Sequence, residues 1–209
     1  MGALGRRRLG HDGGMDKKEL ARRLQQVCYL SGRFVLRSGQ VTDFYFDKYM
    51  FESDPGLLRA VAELAVPLVP AGTEMLAGLE LGGVPLSTAL SLATGLPQVL
   101  VRKQAKTYGT AKLAEGPEVA GKRLLVVEDV VTTGGQVVAS TGDLRERGAV
   151  VSQVLCAIDR RPQAGVSQPG ASAGASKPGA SKPGAASKLD EAGLELLALF
   201  TAAELTAQA

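Results

Sequence analysis

The sequence predicts an α/β fold, a mostly parallel sheet flanked by helices, and three observations carry that reading. Leu124, Leu125, Val126 and Val127 are consecutive apolar residues without polar alternation, the pattern of a strand buried on both faces. A polar loop and a helical pattern follow, half of a strand–helix–strand crossover. In that helix Val137, Val138, Thr141, Leu144 and Arg145 recur at three- and four-residue steps, and Gly148 suits its C-terminal cap. Along the rest of the chain, short apolar runs alternate with helical patterns, as in doubly wound sheets.

The elements follow in order. Residues 1–15 form a Gly/Arg-rich leader, expected to be disordered; no apolar stretch follows Arg6, Arg7 and Arg8, which argues against an export signal. Residues 16–30 read as an amphipathic helix with Leu20, Leu24 and Val27 on one face. An aromatic-rich hairpin spans 32–47. Helices are expected at 55–69 and 85–94, and strands at 75–79, 98–101, 123–127 and 150–158. Residues 163–188 turn to Ala, Ser, Gly, Pro and Lys, with Gly-Ala-Ser-Lys-Pro written twice. Such a composition buries no core and reads as a flexible insertion. A strand at 194–200 and a short helix opened by Thr201, with Glu204 completing a capping box, restore order. One domain, 16–162 completed by 189–209, accounts for the chain.

Bulk properties narrow the function. A net charge of +3 is too modest for general nucleic-acid binding and suits an anionic small molecule. The chain has 2 cysteines, Cys28 and Cys156, both in apolar surroundings, which read as reduced core thiols of a cytoplasmic protein. With 1 histidine, His11 in the leader, no Ser-His or Cys-His pair can assemble. No CxxC pair suggests zinc, and no apolar run is long enough to span a membrane.

The chemistry concentrates after the apolar run. Glu128 and Asp129 stand at the expected carboxyl end of the strand, where ligands of open α/β sheets bind. Thr132, Thr133, Gly134 and Gly135 then offer hydroxyls and unpaired backbone amides at a helix N-terminus, a cradle for phosphate. Neither a Walker A loop nor GxGxxG is present. Two acids beside a phosphate would repel it unless they bind something else, and vicinal sugar hydroxyls are the economical partner. The stretch suits a ribose phosphate.

Four apolar residues, two acids, two apolar residues and Thr-x-Gly closely resemble the phosphoribosyl-pyrophosphate (PRPP) motif of type I phosphoribosyltransferases. Three further segments resemble the orotate phosphoribosyltransferases among them. They are the basic Arg102-Lys103-x-x-Lys106-x-Tyr108-Gly109, the hairpin with Arg37 and Tyr45-Phe46-Asp47, and Ala157-Ile158-Asp159-Arg160. Here Arg37 replaces a frequent lysine, Tyr108 a frequent histidine, and Glu80-Leu81 a usual Tyr-Lys or Tyr-Thr.

The resemblance implies a type I phosphoribosyltransferase fold with a small hood from the N- and C-terminal segments. It implies PRPP contacts from Arg37, Arg102, Lys103, Lys106, Tyr108, Glu128, Asp129, Val130, Val131, Thr132, Thr133, Gly134, Gly135 and Gln136. Orotate would meet Thr132, Arg160, Tyr45 and Phe46, and Lys103, Lys106 and Asp129 would be catalytic. It further implies Mg²⁺ held by PRPP with no protein ligand of its own, a homodimer, a cytoplasmic location, and no nucleic-acid or membrane partner. Transfer to another base, or a PRPP-sensing regulator without activity, stays open at this point.

Overall fold

The computed structural model describes residues 14–35, 39, 41–103, 113–161 and 187–207. Helix α1 (Lys17–Cys28) starts where the Asp16 carboxylate accepts the Glu19 amide at 2.8 Å. It buries Leu20 and Leu24. The chain passes directly into β1 (Tyr29–Val35), two residues before the sequence pattern ends the helix, because Tyr29 and Leu30 pair across an antiparallel hairpin with Phe46 and Tyr45 of β2 (Val41–Phe46).

A short helix α2 (Tyr49–Glu52), absent from the sequence reading, precedes α3 (Pro55–Ala65). Asp54 caps α3 with Pro55 in its first turn. The helix expected to run to 69 ends at Ala65, and a 3₁₀ turn, Val66–Leu68, takes over at Pro67, which has no amide to continue the ladder.

The remaining elements are β3 (Met75–Leu79), α4 (Gly83–Thr94), β4 (Gln98–Val101), β5 (Ala114–Glu115), β6 (Arg123–Val131), α5 (Gly135–Glu146), β7 (Val150–Asp159), α6 (Lys188–Glu191), β8 (Glu195–Thr201) and α7 (Ala202–Thr206). The six-stranded sheet has the order β5-β4-β3-β6-β7-β8, all pairs parallel except β4 with β5. Its two faces carry separate cores. Leu125, Val127, Leu155 and Ala157 meet α1, α3 and α4, while Leu124, Val126, Val154 and Cys156 meet Val137 and Leu144 of α5. The apolar run is buried on both sides, as its lack of alternation predicts.

Further boundaries need correction. The strand expected to stop at Val127 continues to Val131, because Val130 and Val131 pair with Ile158 and Asp159. Helix α4 begins at Gly83, ahead of Pro85. Order after the low-complexity stretch returns at Ser187, whose hydroxyl and Asp190 form a reciprocal capping box. The box expected at Thr201 and Glu204 is present, and an ion pair of 3.0 Å joins Glu204 of α7 to Lys17 of α1. Nearly all of the leader and of residues 163–188 lies outside the described residues.

Candidate active site

The strand order reverses between β3 and β6, and the crevice outside such a switch point is where doubly wound sheets bind ligands. The loop leaving β3 lies hard against β6. A Cβ on Gly83 would come 2.3 Å from the Val127 carbonyl oxygen, and one on Gly82 would come 1.7 Å from Asp129 Oδ2. Glycine at both positions permits this approach. Glu80 accepts the Lys103 amide on its carboxylate at 2.8 Å. The basic segment is thereby tied to this loop.

The two acids sit inside the end of β6. Asp129 is fully buried and Glu128 nearly so. Asp129 Oδ1 accepts the Val130 amide at 2.6 Å, Glu128 Oε1 accepts the Asp129 amide at 3.0 Å, and Lys48 Nζ lies 2.5 Å from Asp129 Oδ2. Glu52 of α2 completes the cluster. Burial, reinforced by the neighbouring Asp129, pushes the Glu128 and Glu52 carboxyls far above the ordinary range, each up to about 9. Burial opposes ionisation of Asp129 too, but hydrogen bonds from Glu52, Glu128 and Lys48 outweigh it and hold this carboxyl low. Asp129 is thereby favoured as the ionised member of the cluster, paired with the Lys48 ammonium, and Glu52 and Glu128 are pushed toward their protonated forms.

Past the acids, Val130 and Val131 complete β6, and Thr132 and Thr133 lead into α5. Gly134 has φ 72°, and a Cβ there would stand 3.0 Å from Leu189, two reasons for glycine. Beyond it Gly135 and Gln136 open the helix at the positive end of its dipole, the Gly135 amide donating to the Thr133 hydroxyl at 3.5 Å. Lys188 Nζ is 4.0 Å from where a Cβ of Gly135 would be, so α6 adds a cation that the sequence reading assigned to the insertion.

Toward β7, Val131 pairs with Asp159, which sets Thr132 and Arg160 at the ends of adjacent parallel strands, and the Arg160 amide donates to the Val131 carbonyl at 2.8 Å. The Arg160 guanidinium stacks over the Phe46 ring at 5.5 Å, while Tyr45 is exposed and packs on Phe34 at 5.6 Å. Arg102 is paired with Glu115 of β5 at 3.5 Å. The fold thus gathers Glu128, Asp129, Val130, Val131, Thr132, Thr133, Gly134, Gly135, Gln136, Arg160 and Phe46 around the carboxyl ends of β6 and β7. Arg102 and Lys103 join them from the end of β4. Arg37, Lys106 and Tyr108 lie outside the described residues. Sequence reasoning stopped at Asp47 and missed Lys48 and Glu52; a lysine directly after the Tyr-Phe-Asp pattern was the available signal.

The family model for the phosphoribosyl transferase domain matches residues 50–177. An orotate phosphoribosyltransferase of Nocardioides sp. is 58% identical over 143 residues, 68% of this chain and 80% of that relative. The chain belongs to the orotate phosphoribosyltransferase family. Among solved structures of this family, the Mycobacterium tuberculosis H37Rv enzyme in complex with Fe(III) dicitrate superposes with a TM-score of 0.71 at 28% identity, covering 90% of this chain and 98% of that one. The same enzyme in complex with PRPP gives 0.68 at 26% identity, covering 91% and 98%. Family membership agrees with the resemblance drawn from the motifs, and the type I phosphoribosyltransferase fold is shared with these neighbours.

Proposed function

We propose that this chain transfers the phosphoribosyl group of PRPP to orotate, forming orotidine 5′-phosphate and pyrophosphate, in the de novo synthesis of UMP. The observation that carries the reading is the Arg160–Phe46 stack beside Thr132. It offers a guanidinium fork for a carboxylate, held in place by the buried Phe46 ring, at the mouth of the loop that follows β6.

The bond from C1 of the ribose to pyrophosphate breaks as the orotate nitrogen bonds to C1, through an oxocarbenium-like centre that needs no covalent nucleophile. Glu128 and Asp129 hold the vicinal ribose hydroxyls. Thr132, Thr133, Gly134, Gly135 and Gln136 hold the 5′-phosphate with their amides and hydroxyls. Lys103, Lys106 and Arg102 receive the negative charge that builds on the departing pyrophosphate, and Arg37 and Tyr108 line the same ligand. Arg160, Thr132, Tyr45 and Phe46 hold orotate.

Asp129, the most buried acid of the cluster, already has Lys48 as its cation at 2.5 Å. This donor set fits Mg²⁺ carried on the oxygens of PRPP, where the ion would neutralise the leaving group. A homodimer, with Arg102 and Lys103 acting across the interface, belongs to the same reading. So does a cytoplasmic location, supported by the free, buried thiols of Cys28 and Cys156.

The test follows orotate depletion with PRPP and Mg²⁺, with uracil and a purine base as controls. Orotate should be consumed and the others spared. Turnover of uracil in place of orotate would reassign the base, and no turnover of any base would leave a PRPP-sensing role.

A further inference from the structure

Lys48 lies outside every segment that carries the family resemblance, yet it touches the most deeply buried acid of the site. Its ammonium is 2.5 Å from Asp129 Oδ2, and the Asp129 side chain is 0% exposed. The backbone around Lys48 is fixed on both sides. Asp47 donates its amide to the Cys28 carbonyl at 2.8 Å, the Asp47 carboxylate accepts the Tyr49 amide at 3.1 Å, and the Phe51 amide donates to the Lys48 carbonyl at 3.2 Å. Phe51 itself is fully buried. Lys48 therefore projects from a clamped turn directly after Phe46, the residue under Arg160.

A carboxylate accepts about four hydrogen bonds. The Val130 amide takes one at Oδ1 and Lys48 faces Oδ2, while Glu52 and Glu128 lie against the remaining places, which two sugar hydroxyls would take over. Removing the ammonium would leave the buried Asp129 charge to Glu52 and Glu128 alone, tightening their shared-proton contacts with it so that the sugar hydroxyls could no longer replace them. We infer that Lys48 is a positioning residue for PRPP: it fixes the Asp129 carboxylate in the geometry that receives the ribose, and it ties that acid to the hairpin bearing Tyr45 and Phe46. The inference rests on Asp129 being a ribose contact, as proposed above.

The experiment measures PRPP binding with Mg²⁺ by calorimetry, apart from orotate turnover, for the full chain and for Lys48→Met, Lys48→Arg, Asp129→Asn and Lys48→Met with Asp129→Asn. Lys48→Met should weaken PRPP at least tenfold. Lys48→Arg, which keeps the cation, should recover most of that loss, and in the Asp129→Asn background Lys48→Met should cost less than twofold. Unchanged or tighter PRPP binding by Lys48→Met overturns the inference, as does an equal loss in the Asp129→Asn background. Should Lys48→Met fail to fold, Lys48→Arg decides: binding within threefold of the unmodified chain supports the role, and a tenfold loss rejects it. Absence of orotate turnover with PRPP binding intact would reject the base assignment and leave the Lys48 comparison valid.

Discussion

Gly82 and Asp129 are packed so closely that a Cβ on the glycine would stand 1.7 Å from the Asp129 carboxylate oxygen Oδ2. That oxygen belongs to the fully buried acid we assign to the ribose and is also the one facing Lys48. Gly82→Ala must push the carboxylate or the loop aside. Turnover should fall roughly a hundredfold, the scale of losing one preorganised polar group at a reacting centre. Steady-state rates with PRPP and orotate check this, and activity within threefold of the unmodified chain would show that the loop yields without disturbing Asp129.

The protonated acids make stability depend on pH. Glu52 and Glu128 titrate in the folded chain near 9, against an ordinary 4.5. Between these values the folded state keeps protons that the unfolded chain has released, so rising pH favours unfolding. Stability is complete below about pH 4.5 on this account and declines as the pH climbs toward 9. Glu52→Gln with Glu128→Gln should flatten the slope of melting temperature across that window. An unchanged slope would place the protons elsewhere.

Arg160 tests the base side. Its guanidinium over Phe46 can offer two parallel donors to a carboxylate, which a lysine cannot copy. Arg160→Ala should raise the KM for orotate roughly ten- to hundredfold, from loss of a charge-assisted pair, while PRPP affinity changes by no more than about twofold. Equal losses for both ligands would assign Arg160 to PRPP or to the fold instead.

The low-complexity segment can be shortened. Its flanks meet, with Arg161 Nη1 3.4 Å from the Ser187 hydroxyl and Arg161 also forked onto Asp159. Replacing residues 164–185 by four Gly/Ser residues should therefore close without strain. Loop-closure entropy predicts a gain of about 1 kcal/mol for roughly two halvings of length, a rise of a few degrees in melting temperature. Calorimetric melting and orotate turnover check it, and a large loss in either would mean that the segment packs on the domain.

What the sequence by itself determined lies in patterns that neighbouring residues enforce. Four unbroken apolar residues read as a doubly buried strand because no face of that run could meet water. Thr201 and Glu204 announced a helix start because both halves of a capping box lie within one turn. The acids followed by Thr-Thr-Gly-Gly suggested a ribose-phosphate loop for the same reason: its donors are consecutive. Tertiary structure decided what depends on partners distant along the chain. The strand β6 runs past its apolar stretch only because β7 supplies hydrogen-bonding partners as far as Asp159. Lys48 reaches Asp129 only because a hairpin, held at Cys28, folds over the sheet. The charge state of the two acids was likewise illegible, since Glu128 and Glu52 keep their protons through burial and a buried neighbour, and a carboxyl's desolvation is a property of everything packed around it.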